Sequence, residues 1–328
     1  YTLSWVNGSG TISPATLTMT ANSAAKVLTD TDPTLSARYS GFVNGETASV
    51  LTSVSVTRAA GEGAGTYTIT PSASAANYVI SPVAGTFTIQ PADQLLITLA
   101  NSTTTYGTAP TRTALSAKYY SSTAVALKTL TLNNLGYDNW EAVENGTQAA
   151  TFTIAVSGAV LSNSGRINVG TYTIGGTNIQ QISNNFTAMN FVNGTATVNA
   201  KTVSISQSGV SKTYDGSVSM ASLTLSAPDI FVGDFASLSG TGTLASANVG
   251  TGLSFHVAGL RLSGADAGNY ALAASSITGT NGQISAKSLT ISGSTLVSRA
   301  YDGTSAASVS SGTLNGLVGS QTLVVTGA

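Results

Sequence analysis

The sequence predicts an all-β chain of tandem β-sandwich-like repeat domains arranged end to end as an elongated rod. Three observations predict it. Polar and apolar residues alternate in runs such as Thr66-Tyr67-Thr68-Ile69-Thr70 and Thr151-Phe152-Thr153-Ile154-Ala155-Val156. A period of two puts one set of side chains on a core face and the other in water. Turn pairs punctuate the runs: Asn-Gly begins at 7, 44, 145, 193, 281 and 315, and Asp-Gly at 215 and 302. Both pairs tolerate the positive φ that two-residue hairpins need. A junction recurs as Ile12-Ser13-Pro14-Ala15, Ile89-Gln90-Pro91-Ala92, Val198-Asn199-Ala200-Lys201 and Ile284-Ser285-Ala286-Lys287. No segment carries a sustained 3.6-residue period, so little helix is expected.

Taken in chain order, the junctions stand 77, 109 and 86 residues apart. Each opens an alternating stretch: Leu17-Thr18-Met19, Leu95 to Leu99, Val203 to Ser206, and Leu289 to Ser292. An aromatic precedes each one: Tyr1, Tyr78, Phe186 and Tyr270, the last three directly after Asn77, Asn185 and Asn269. Repeats of this size read as structural units stacked along the chain. The expected boundaries are the tail of one repeat at 1–14, repeats at 15–91, 92–199 and 200–286, and part of another at 287–328. The second is the longest and most divergent. Joins between repeats are almost without linker. Pro91 lacks an N–H and restricts the residue before it, so that join is expected to be stiff and extended. Strand-scale dimensions then give a rod on the order of 100 Å long.

Composition limits function. Only 8% of residues are charged, and 12 Lys and Arg stand against 13 Asp and Glu, which leaves no basic patch for a nucleic acid. There is no Cys and one His, so thiol chemistry and a two-His metal site are excluded. The apolar runs fall far short of the roughly 20 residues that cross a bilayer, and no membrane insertion is expected. His256 sits in a strand-like run, and no Gly-x-Ser-x-Gly elbow is present. The reading is therefore of a non-enzyme. A nearly neutral Ser, Thr, Asn and Gly surface suits an extracellular location.

Several motifs carry a family resemblance. Pro33-Thr34-Leu35-Ser36-Ala37-Arg38-Tyr39-Ser40-Gly41-Phe42-Val43-Asn44-Gly45-Glu46 resembles the central motif of bacterial MBG repeats. Lys212-Thr213-Tyr214-Asp215-Gly216, Arg299-Ala300-Tyr301-Asp302-Gly303 and Gly264-Ala265-Asp266-Ala267-Gly268-Asn269-Tyr270 are similar to YDG repeats. Thr105-Tyr106-Gly107-Thr108-Ala109-Pro110 resembles an MBG opening, although residues 116–150 lack the Tyr-Ser-Gly-Phe motif. The resemblance implies large secreted adhesins of the filamentous-haemagglutinin, two-partner-secretion type, in which such arrays act as stalk or spacer. It also implies cell adhesion and biofilm formation, a bacterial cell-surface location, and an outer-membrane secretion pore engaged by parts outside this segment.

Candidate site residues follow from side-chain chemistry. Tyr214, Asp215 and Gly216, with Tyr301, Asp302 and Gly303, read as a structural motif: the Asp-Gly pair makes a turn and the carboxylate caps nearby N–H groups. Asp266, Asn269 and Tyr270 read the same way, with Tyr270 filling the core. Tyr137, Asp138, Trp140, Glu141 and Glu144 gather aromatic faces and carboxylates that could hold a glycan or calcium, against the alternative that Trp140 plugs its own domain. Asp30 and Asp32 are a weaker calcium pair, since that ion wants about six to eight oxygens. No cofactor or metal is otherwise expected. The partners considered are extracellular polysaccharide and other cell-surface molecules.

Overall fold

The structure is a computed structural model in which residues 11–324 are described. The aromatic expected at Tyr1 and the turn expected at Asn7 lie outside them. The described residues are strands and loops, with two single-turn 3-10 segments at Ala48–Val50 and Ala267–Asn269. The all-β expectation is therefore met. The chain divides into two compact units. The first takes in residues up to Thr104, Pro110–Ala159 and Gly170–Thr197; the second takes in Thr105–Ala109, Val160–Val169 and the residues from Val198 onward.

In the first unit, strand Ala15–Ala21 shows the two-residue period directly: Leu17, Met19 and Ala21 are buried while Thr16, Thr18 and Thr20 face outward. It pairs antiparallel with Ala37–Ser40 and parallel with Tyr78–Val83. The chain then turns into a second sheet, ordered Ala24–Val27, Gly85–Gln90, Gly65–Ser74, Thr52–Arg58. Ala21, Ile69, Phe87 and Ile89 form the core. Two sheets over a shared apolar layer are the sandwich arrangement that alternation dictates.

The longer repeat builds a nine-stranded sheet. Leu95 and Ile97 from Gln94–Leu99 and Ala196 from Gly194–Asn199 meet Phe152 and Ile154 from Thr147–Ser157 in one core. Strands distant in sheet order share that core, so the sheet curls around it. The extra length is a hairpin of Ala126–Gly136 and Asn139–Glu144, turned at Tyr137 and Asp138.

The second unit holds a four-stranded sheet, ordered Ser211–Thr213, Ile277–Ser285, Gly250–Ser263, Ser237–Leu244. Met220, Leu244, Phe255, Val257 and Ile284 are its core. Among the described residues from 287 onward there is one small ladder, Thr290–Ser292 with Thr313–Asn315. They leave Leu296, Tyr301 and Val309 exposed.

One pairing rule repeats. The strand after each of the first three junctions runs parallel to the strand that begins at or just after the recurring aromatic. Ala15 is opposite Tyr78, Gln94 is opposite Ala188, and Lys201 is opposite Tyr270. Turn chemistry is met in part. Asn44-Gly45 and Asn145-Gly146 turn the chain with all four residues at positive φ. Asn281-Gly282, in contrast, lies inside strand Ile277–Ser285. A Cβ on Gly282 would come within 2.8 Å of the Leu253 carbonyl oxygen, so this glycine serves close strand packing rather than a turn.

Candidate functional site: a tyrosine pinned to a carboxylate turn

The recurring aromatic is buried in each repeat: Tyr78, Phe186 and Tyr270 are at most 6% exposed. A buried phenol needs a partner for its hydroxyl. In the first repeat the Tyr78 hydroxyl accepts the Val43 N–H (3.1 Å) and donates to the Glu46 carboxylate. Val43 to Glu46 is a tight turn closed by Glu46 N–H to Val43 O at 3.0 Å. Phe42 meets the Tyr78 ring edge-on at 5.7 Å.

The second unit repeats the geometry with different residues. The Tyr270 hydroxyl accepts the Phe231 N–H (2.9 Å) and donates to Asp234 Oδ2 (2.5 Å). Phe231 to Asp234 is again a four-residue turn, closed by Asp234 N–H to Phe231 O at 3.1 Å. In both turns a carboxylate follows glycine: Val43-Asn44-Gly45-Glu46 and Phe231-Val232-Gly233-Asp234. The middle repeat has Phe186 in place of the tyrosine. There Tyr119 packs on the Phe186 ring at 5.7 Å and supplies the hydroxyl, donating to Glu144 Oε1 at 2.7 Å.

In the second unit the turn also receives a second phenol. Tyr106 is 2% exposed and stacks edge-on against Tyr270 at 5.3 Å. Its hydroxyl donates to Asp234 Oδ2 (2.5 Å) and lies 2.7 Å from Ser162 Oγ. Asp234 Oδ1 accepts the Ser164 N–H at 3.2 Å. Burial pushes the Asp234 carboxyl up, but hydrogen bonds from Ser164, Tyr106 and Tyr270 outweigh it and hold it at about 2. Burial and the Asp234 carboxylate raise both tyrosines above the ordinary phenol value. Phenols held this firmly protonated serve as fixed donors, not as bases or nucleophiles. The Arg166 guanidinium and the Lys201 ammonium lie 4.0 and 4.1 Å from the centre of the Phe231 ring, contacts that favour the cations through the ring quadrupole.

Asp266 and Asn269 extend this cluster. Asp266 Oδ2 accepts from the Phe235 N–H (2.7 Å) and from Asn163 Nδ2 (2.8 Å). The side-chain amide of Asn163 and the Phe235 N–H draw the Asp266 carboxyl below its ordinary value. Asn269 Oδ1 accepts the Val169 N–H, and its Nδ2 donates to Asn168, both at 2.8 Å. These side chains therefore bind segment Val160–Val169, about 100 residues away in sequence, as well as their own loop.

The YDG pair has one construction. Lys212 Nζ lies 2.6 Å from Asp215 Oδ1, which accepts the Ser217 N–H at 2.9 Å. Those two partners, the lysine first, hold Asp215 at about 2. Arg299 pairs with Asp302, which accepts the Thr304 N–H at 3.0 Å. Tyr214 is half-buried, whereas Tyr301 is 93% exposed because the last segment brings no core to cover it.

The glycan or calcium group is dispersed. Tyr137 is 98% exposed at a turn with positive φ. Asp138 is paired with Arg112. Trp140 is in the core at 8% exposure, packed with Phe152 and Ala142, so its face is not open to a sugar. Glu141 accepts from Asn133 and Gln148, and Glu144 from Tyr119 and Asn185. Asp32 lies 2.7 Å from Lys26 and 2.6 Å from Arg58, and Asp30 lies 2.9 Å from Lys118. Cations thus occupy Asp138, Asp30 and Asp32, while neutral amide and phenol donors occupy Glu141 and Glu144. Among the described residues no group of three or more His, Asp or Glu is placed to hold a metal ion.

Sequence reasoning missed Glu46 and Asp234 as the acceptors that close each pin. The signal was there in the shared glycine-carboxylate turn, but only pairing with an aromatic many residues later gives it meaning. The fold and the pin define a class: all-β repeat modules closed by a buried aromatic against a carboxylate turn. Residues 17–88 match the MBG domain (YGX type), and residues 195–278 match the YDG domain. None of the curated proteins compared matches the chain.

Proposed function

We propose that this chain is a structural stalk or spacer segment of an exported bacterial surface adhesin, a non-enzymatic shaft that holds a binding region away from the cell. The observation that carries this reading is the pin. The chemistry most regularly repeated along the chain is spent on holding its own loops and strands together. Tyr78 with Glu46, Tyr119 with Glu144 and Tyr270 with Asp234 all point inward. The joins support it too: three residues separate strand Gly85–Gln90 from Gln94–Leu99, and one separates Gly194–Asn199 from Lys201–Val203. Small-angle scattering of the chain tests the shaft. A cross-section of one domain and a maximum dimension on the order of 100 Å, from strand-scale dimensions, is expected; a compact globular profile overturns it.

A second reading, direct contact with extracellular polysaccharide, draws on the exposed ring of Tyr137 at its hairpin turn. A glycan array with the chain and with Tyr137→Ala decides it. Binding lost in the variant favours this reading, and no binding by the native chain removes it.

A further inference from the structure

We propose that the cleft between the corner at Asn22–Ala25 and the corner at Val192–Thr195 is a binding groove for an acidic saccharide chain, with Arg38 taking a uronate carboxylate. Both corners and Arg38 belong to the first unit.

The cleft arises where strands change sheets. Asn22-Ser23 joins strand Ala15–Ala21 to Ala24–Val27, and Asn193 joins Ala188–Val192 to Gly194–Asn199. The two corners border a hollow of about 460 Å³. Past the same corners a second hollow of about 220 Å³ continues beside Thr34 and Asn101. The larger one falls within the roughly 300–1,000 Å³ of small-ligand clefts, and the continuation suits a chain better than a single sugar. The walls are tied to each other. Lys118 Nζ lies 2.9 Å from Asp30 Oδ2, and Asn190 Nδ2 donates to Gln90 Oε1 at 3.3 Å. A cleft set before the ligand arrives lowers the ordering cost of binding.

The lining is suited to hydroxyl groups. Along strand Gly85–Gln90, Phe87 and Ile89 are buried, so Thr86, Thr88 and Gln90 turn the other way and line the cleft. Period two thereby gives it a polar wall. Asn22 Nδ2 donates to Ser36 Oγ at 2.9 Å, which leaves its Oδ1 as an acceptor. The Oε1 of Gln90 is taken by Asn190, which leaves its Nε2 as a donor. A sugar hydroxyl both donates and accepts, and carboxamides match it on both counts.

Charge selects among saccharides. Arg38 is the one charged residue among the described residues that line the cleft. Elsewhere in this unit Lys26, Arg58, Arg112 and Lys118 each hold a carboxylate. Arg38 is exposed and holds none among the described residues. A guanidinium presents a planar fork that takes a carboxylate through two parallel bonds. Hydroxyls on every ring together with a carboxylate are the chemistry of a uronic acid chain.

The groove rests on neither functional reading. A shaft can carry it, and Tyr137 is not among the residues that line it. The test titrates the isotope-labelled chain with hexamers of galacturonate, mannuronate and guluronate and follows the amides of Ser23, Ala25, Asn193 and Thr195 by NMR. Maltohexaose is the neutral comparison and hexaglutamate the acidic peptide. Saturable shifts at these four amides are expected with at least one uronate. Binding of that uronate should weaken roughly fivefold or more in Arg38→Gln, the scale of an exposed ion pair, and less in Arg38→Lys, which keeps the charge without the fork. Tyr137→Ala should leave it unchanged. The proposal is overturned if none of the three uronates gives saturable shifts, or if the shifts centre on other amides. It is equally overturned if Arg38→Gln binds as tightly as the native chain, or if maltohexaose or hexaglutamate binds as tightly as the uronate. None of these outcomes bears on the scattering profile that tests the shaft, and loss of binding in Tyr137→Ala alone would leave the polysaccharide reading standing while refuting this groove.

Discussion

Replacing Tyr270 by Phe removes one oxygen and leaves the ring. That oxygen makes two bonds: it donates to Asp234 Oδ2 at 2.5 Å and accepts the Phe231 N–H at 2.9 Å. A hydrogen bond to a charged group contributes roughly 1.5–3 kcal/mol, and an orphaned buried N–H costs about 1 kcal/mol or more. Asp234 keeps Tyr106 and the Ser164 N–H, so part of the first loss is recovered. The expected net loss is about 2–4 kcal/mol. At about 1.4 kcal/mol per tenfold, that speeds exchange of the Phe231 amide by roughly 30-fold or more when it opens with the unit. Hydrogen exchange read by mass spectrometry on the segment around 231 is the assay, since a multi-module chain gives no single two-state transition. The loss should also depend on pH in a defined direction. The Asp234 carboxyl falls from 3.8 in the unfolded chain to about 2 in the fold. A lowered folded value contributes stability above pH 4 that disappears as pH falls toward 2. The gap between native and Tyr270→Phe should therefore be full at pH 7 and shrink between pH 4 and pH 2. A change in exchange below threefold at pH 7, or a gap as large at pH 2 as at pH 7, would refute the pin as a source of stability.

Two further predictions concern other parts of the fold. Asp32→Asn leaves the nearly buried Lys26 and the Arg58 guanidinium with Glu62 as their remaining carboxylate. Breaking a buried pair costs about 3–5 kcal/mol; Asp32 itself is 37% exposed, so solvent screening reduces this to roughly 1–2 kcal/mol. Chiefly the hydrogen bonds from Arg58 and Lys26 hold the Asp32 carboxyl at about 2, so the variant should also flatten the native loss of stability between pH 4 and pH 2, read by amide hydrogen exchange across Ala24–Val27 and Thr52–Arg58. Gly264→Ala places a Cβ 2.3 Å from the Phe235 carbonyl oxygen at a φ of +119°. Backbone strain alone costs about 1–3 kcal/mol there, so faster amide exchange is expected across the loop that carries Asp266 and Asn269.

Much of this was legible in the residue order. Leu17, Met19 and Ala21 alternate with threonines, and the strand they define is the one observed. Period two also places Trp140 and Ala142 on one face and Glu141 on the other, as the burial shows. The appeal of a Trp beside three carboxylates came from reading neighbours in sequence, whereas in a strand neighbours point to opposite faces. The Asp215 and Asp302 loops close within five residues, so local turn chemistry reaches them. Asp234 was passed over because its partners, Tyr270 and Tyr106, lie 36 and 128 residues away.

The sequence by itself determined the all-β class, the repeat spacing and the inward face of most strands, because a pleated backbone turns the order of polar and apolar residues directly into sidedness. Only the tertiary structure decided which strands run parallel, which turn each buried tyrosine enters, and that Asp266 and Asn269 hold a loop about 100 residues away. Those choices depend on shape and hydrogen-bond geometry between segments far apart in the chain, and an alternating pattern says which way a side chain faces without saying what it will meet.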